Sequence, residues 1–185
     1  MKSTVVALLS AALLLGCGGD PPTADLDAAK NALQDARAAG AEKFASSALS
    51  AAQGAFDDAQ SELNTESEKL FKNFDKTKSL IADAKSKADK AKSAATAAKA
   101  AAKSAADAKI ANAAAAVQAA RSSLDGAPAG KGNEGDLEQL RAELGAADAE
   151  LSAARSSVGS ENFAAAEASA ASATQKAAAI EEGVS

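Results

Sequence analysis

Apolar residues recur along most of this chain at alternating steps of three and four. Leu26, Ala29, Leu33 and Ala36 form one such set, and Leu49, Ala52, Phe56, Ala59 and Leu63 form a second. Leu137, Leu140, Leu144, Ala147, Leu151, Ala154 and Val158 make a third, followed by Phe163, Ala166, Ala170, Ala173, Ala177 and Ile180. Steps of three and four keep each set on one stripe of an α-helix. Sustained at 3.5 residues per repeat, such stripes favour helices packed nearly parallel or antiparallel. In the middle the register changes. Leu63 and Leu70 continue one seam, while Phe74, Ile81, Ala84, Ala88, Ala91, Ala95, Ala98, Ala102 and Ala105 form another. The step from Leu70 to Phe74 is a four-residue stutter or a turn between helices. A turn is the preferred reading, because Thr65 and Glu68 spell a T-x-x-E capping box just upstream.

The breakers divide the chain accordingly. Residues 55–125 contain neither Gly nor Pro, whereas Gly40, Gly159, Gly183 and the 126–135 stretch GAPAGKGNEG punctuate the rest. Thr23, Ser46 and Ser160 are candidate N-caps. The plan repeats: ARAAGAEKFA (36–45) echoes ARSSVGSENFA (154–164), sharing Gly-x-Glu-x-Phe. The expected fold is therefore all-α, an assembly of extended antiparallel helical hairpins with alanine-rich, coiled-coil-like seams and one long central helix. A helix from Phe74 to Leu124 would run ~75 Å at 1.5 Å per residue.

Composition sharpens this picture. Alanine accounts for 56 of the 185 residues, and it is the strongest helix former. Only 22 Leu, Ile, Val or Phe residues follow Cys17, so seams must be thin and no thick core is available. The Ala/Lys stretch SKADKAKSAATAAKAAAKSAADAK (86–109) resembles late-embryogenesis-abundant segments and the helix of Tol-type envelope spanners. Such segments bury little area to offset ordering entropy, so residues 82–120 are read as packed, alone or disordered.

The first residues carry a different signal. Lys2 precedes an apolar run, Val5 to Leu15, too short to span the ~20 residues of a transmembrane helix. A charged start, a short apolar core and small residues at its end describe a secretory signal. Leu14-Leu15-Gly16-Cys17 resembles the bacterial lipobox, in which the cysteine thiol is diacylated and becomes the new N-terminus. An ordinary secretory signal with a chance cysteine is the alternative. Cys17 is the single cysteine, and in an exported protein a lone thiol is otherwise left for intermolecular pairing. The expected organisation is a lipoprotein signal peptide at 1–16 and a lipidated Cys17 with a tether at 17–23. A helical hairpin region at 24–125, a Gly-rich loop at 126–135 and a C-terminal hairpin at 136–183 follow. Gly18 after the cysteine resembles an outer-membrane address, facing the periplasm.

The absences limit chemistry. Without histidine there is no imidazole base and no ordinary zinc or copper site. Gly130 to Gly135 spells GxGxxG, but no strand precedes it, so it reads as a loop rather than a dinucleotide site. Asp25 and Asp27 read as acids complementing a helix dipole rather than as a metal site. No enzyme and no cofactor is expected.

Charge falls in blocks: 10 acids against 3 bases over 20–68, 11 bases against 4 acids over 69–109, and 11 acids against 5 bases over 110–185. Lys78, Lys85, Lys92 and Lys99 recur every seven residues. Acidic arms folding onto the basic helix are one reading. Contact with an anionic cell-wall or surface polymer is the other, through the local field of the lysines. Nucleic acid is disfavoured, because no aromatic residue stands among the lysines to stack a base.

GAEKFASSALSAAQGAFDDAQSEL, followed by NFDKTKSLIADAKSKADKA, resembles alanine-rich bacterial lipoproteins that share a helical-hairpin domain of unknown function. That family usually has Tyr-Ala-Pro at the turn, where this chain has Phe44-Ala45-Ser46. The resemblance implies an envelope-located helical domain and no activity. Oligomeric state and partner stay open.

Overall fold

The apolar stripes fall on helices, six of which occur among the described residues. The computed structural model describes residues 20–128 and 134–185. In order they are α1 (Thr23–Ala38), α2 (Ala41–Phe44), α3 (Ser46–Ser67), α4 (Asp75–Asp125), α5 (Glu134–Gly159) and α6 (Phe163–Val184). No strand occurs among the described residues. The fold is all-α, with α4, at 51 residues, as the long central helix. The apolar 5–15 run, the 14–17 motif with Cys17, and most of the 126–135 loop lie outside the described residues.

Two compact units divide the chain between Ala95 and Thr96, inside α4. No glycine or proline marks this position. In the first unit α1, α3 and the leading part of α4 share a core of Ala29, Leu33, Ala36, Leu49, Ala52, Phe56, Ala59, Ile81, Ala84 and Ala88. Six of these ten are fully enclosed alanines, so the helices close on each other with little side-chain volume between them. α1 and α3 run antiparallel about a tight turn. Arg37 near the end of α1 donates to Gln53 Oε1 of α3 at 2.6 Å. Gly40 makes the reversal possible, with φ 87 and ψ 24, a left-handed conformation that L side chains resist.

The second unit sets the rest of α4 against α5 and α6. Leu137, Leu140, Leu144, Ala147, Leu151 and Ala154 of α5 are buried, as are Phe163, Ala166, Ala170, Ala173, Ala177 and Ile180 of α6. Both sets coincide with the stripes read from the sequence, save half-buried Val158. Arg121 of α4 pairs with Asp148 of α5 at 2.5 Å, and Lys109 of α4 pairs with Glu167 of α6.

Three local expectations differ from the structure. Past Ala95, Ala98 and Ala102 are half-buried and Ala105 is exposed; burial resumes at Ala106, Ile110, Ala113, Val117, Ala120 and Leu124. Ala95 to Ala106 is an eleven-residue step, 3.67 residues per turn, where a strict heptad repeat has 3.5. Leu70 is not a seam residue but 96% exposed, because α3 ends at Ser67. The Thr65–Glu68 box starts no helix: Thr65 lies inside α3 and its hydroxyl donates to the Ser61 carbonyl at 2.9 Å. Such back-bonding lets a hydroxyl satisfy itself within a helix.

Caps behave similarly. Thr23 and Ser46 are first helical residues after Pro22 and Ala45, and neither N-cap has a side-chain bond. Ser160 turns back onto the Ser157 carbonyl, and Asn162 is the true N-cap of α6, accepting from the Ala165 amide at 3.4 Å. The repeated Gly-x-Glu-x-Phe motif therefore builds two different turns: Gly40 is left-handed in the first, Glu161 (φ 58) in the second.

Candidate functional surface

The lysine stripe sits where the heptad spacing puts it, along one flank of α4. Within the first unit, Lys78, Lys85 and Lys92 follow one another at seven-residue intervals beside the buried Ile81, Ala84, Ala88 and Ala91. Lys78 and Lys85 line a groove between α1 and α4 with Asp25, Ala28, Ile81 and Ala82. Lys85 donates to Asp89 within α4 at 2.9 Å. Lys92 reaches across to Asp35 of α1, also at 2.9 Å. That hydrogen bond, and then the Asp35 charge, hold the Lys92 ammonium above its ordinary value. In the second unit Lys99 pairs with Glu161 in the α5–α6 turn at 2.7 Å.

The acidic arms thus meet the basic helix. Beyond those contacts, Lys76 pairs with Glu62 of α3 at 2.8 Å. All these groups except the largely covered Glu62 keep substantial solvent contact, so each exposed pair contributes only ~0–1 kcal/mol. Their effect is on which residue stands opposite which.

Asp25 and Asp27 are exposed in the first turns of α1. Among the described residues no three His, Cys, Asp or Glu side chains gather as they would around a metal ion. Of the GxGxxG string only Glu134 and Gly135 are described, and they open α5.

The loop between α3 and α4 holds groups that sequence reasoning passed over. Glu66, in the last turn of α3, is 7% exposed. Its carboxylate accepts from Lys69 Nζ on one side and from the Asn73 amide at 3.4 Å on the other. The Lys69 hydrogen bond pulls the Glu66 carboxyl below its ordinary value, with burial opposing and the Asn73 amide assisting. Lys69 is raised in turn, mainly by Glu66. Asn73 Oδ1 then accepts from the Asp75 amide at 2.9 Å, which starts α4, and Phe74 is buried. Between these fixed ends, Leu70 and Phe71 stand 96% and 89% exposed. The available signal was Lys-Leu-Phe-Lys beside a polar cluster that includes Asn64 and Thr65.

No helix among the described residues is long and apolar enough to cross a membrane. No family model, no curated protein and no solved structure matches this chain.

Proposed function

We propose that this chain is a lipid-anchored helical scaffold or spacer of a bacterial cell envelope, attached through Cys17 to an outer membrane and facing the periplasm. The observation that carries this reading is Leu14-Leu15-Gly16-Cys17 at the end of a short apolar run, directly before a chain of helices. Several acyl chains hold far more firmly than one, because each buried methylene contributes about 0.8 kcal/mol. No enzymatic step and no cofactor is part of the proposal.

The choice of scaffold over polymer binder is supported by the ion pairs. Lys92 and Lys99, half of the stripe, are turned toward Asp35 and Glu161 on neighbouring elements. An anionic polymer would compete with those carboxylates. The resemblance to alanine-rich envelope lipoproteins points the same way.

Two measurements test it. Mass spectrometry of the full chain from a bacterial host should find Cys17 as a diacylglycerol thioether at the N-terminus; an unmodified sulfur sinks the anchor. Replacing Lys78, Lys85, Lys92 and Lys99 with glutamine should leave cosedimentation with cell wall or lipopolysaccharide unchanged. Binding lost at unchanged helicity would favour an anionic-polymer binder instead.

A further inference from the structure

We infer that the loop between α3 and α4 is a second membrane contact, in which Leu70 and Phe71 enter the interfacial layer of a lipid bilayer and Lys69 and Lys72 stay among the headgroups. These are the two exposed large apolar side chains of the described residues, and they are adjacent. Chain slack does not explain their exposure. Glu66 binds both flanks of the loop, at Lys69 and Asn73, and buried Phe74 fixes its exit. The bracket holds the pair away from the core, where an unconstrained Leu-Phe step would fold back to lose apolar area.

The size of the tip argues for lipid as the occupant. A stable protein interface covers roughly 800 Å² on each partner, far more than two side chains offer. A bilayer needs no complementary surface, and lysine stems lie along apolar matter with their ammonium groups in water. Glu66, Glu68 and Asp75 balance Lys69, Lys72 and Lys76 in this segment, so the contact should need no anionic lipid.

Position gives the second argument. α1 and α3 are antiparallel about Gly40, so the start of α1 and the end of α3 lie at one end of the first unit. Asp25 and Ala28 share a groove with Lys78 and Ile81, placing the start of α4 at the same end. Cys17 is six residues before Thr23, a reach of at most about 20 Å. The tip and the lipid would therefore address one surface, an orientation that rests on the anchor proposed above.

The test uses the full chain carrying Phe71→Trp. The chain has no tryptophan or tyrosine, so this residue is the only indole. Mixed with phosphatidylcholine vesicles brominated on the acyl chains, its emission should shift to the blue. It should also fall about two-fold or more against unbrominated vesicles, as for an indole at the interface. Leu70→Ser in that background should weaken the quenching, and circular dichroism should stay unchanged because both side chains are exposed. Unquenched, unshifted emission overturns the inference. A blue shift without quenching, with sedimentation at twice the chain mass, assigns the tip to a second copy and overturns it as well. The mass of the same sample separates the two proposals. Acylated Cys17 with an unquenched indole removes the tip and leaves the anchor; unmodified Cys17 with a quenched indole removes the anchor and leaves the tip.

Discussion

One substitution, glycine to alanine, should change sign between two positions fourteen residues apart. Gly40 carries φ 87, and alanine held in a left-handed conformation costs roughly 1–2 kcal/mol. The added Cβ would also stand 3.2 Å from Phe44 Cδ2, close enough that the half-buried ring must shift by tenths of an ångström. Gly40→Ala is therefore expected to destabilise the first unit by about 1–2 kcal/mol or slightly more. Gly54 lies inside α3, exposed, with nothing within 4 Å of an added Cβ. Alanine there gains about 1 kcal/mol of helix propensity without a clash. The two variants should differ by about 2–3 kcal/mol, although each adds the same methyl group. Urea titration of the full chain, followed by far-ultraviolet circular dichroism, measures this. With a slope of about 1–3 kcal/mol per molar, the midpoints should separate by roughly 0.7–3 M on the transition that carries α3. Two midpoints displaced in the same direction would refute the reasoning, since propensity alone would then govern both sites.

Two further outcomes follow from buried polar groups near the start of α4. Thr77 is fully enclosed and its hydroxyl has no hydrogen-bond partner, so Thr77→Val should stabilise by about 1 kcal/mol in the same titration; a loss of that size would mean the hydroxyl is satisfied. The Glu66 carboxyl is lowered from 4.5, so its bracket is fully formed above pH 4.5 and is lost as pH falls from there through the lowered value. The Asn73 amide resonance should titrate below pH 4.5 and lose that titration in Glu66→Gln; a midpoint above 4.5 would contradict the assignment.

Where bulky residues punctuate the alanine, the sequence was legible. Leu33, Leu49, Phe56, Leu63, Leu144, Leu151, Phe163 and Ile180 all stand on the expected buried faces. Between Ala95 and Ala106 legibility fails, because alanine occupies both sides of the helix and any stripe through it looks apolar. The true register there was written in Ile110, Val117 and Leu124, seven residues apart, which are buried. Capping was misread for a different reason. Serine and threonine can bond to carbonyls a turn behind them, so a hydroxyl near a helix end does not say which side of the boundary it serves. The loop was hidden because Leu70 continues the spacing of Leu63, and only the end of α3 at Ser67 separates core from surface.

Alanine seams raise a question of specificity that charge and a few large side chains answer together. A slip by seven residues along α4 would set alanine against alanine again, with almost no change in buried area, so the seam itself barely distinguishes registers. Such a slip would, however, move Ile81 away from Leu33 and Phe56, with which it shares a core. Opposite Asp35 the slip would only exchange Lys92 for Lys85 or Lys99, but in the second unit it would draw Lys109 off Glu167 and Arg121 off Asp148 with no base to replace them. Each exposed pair is weak, but the Lys109 and Arg121 pairs are lost together in a slipped state, whereas the correct register keeps both. Opposite charges in the arms and the central helix thus act against alternatives more than they add to stability. On this account, salt should weaken the choice of register sooner than it weakens helicity, because screening reaches exposed charges and leaves the alanine contacts intact.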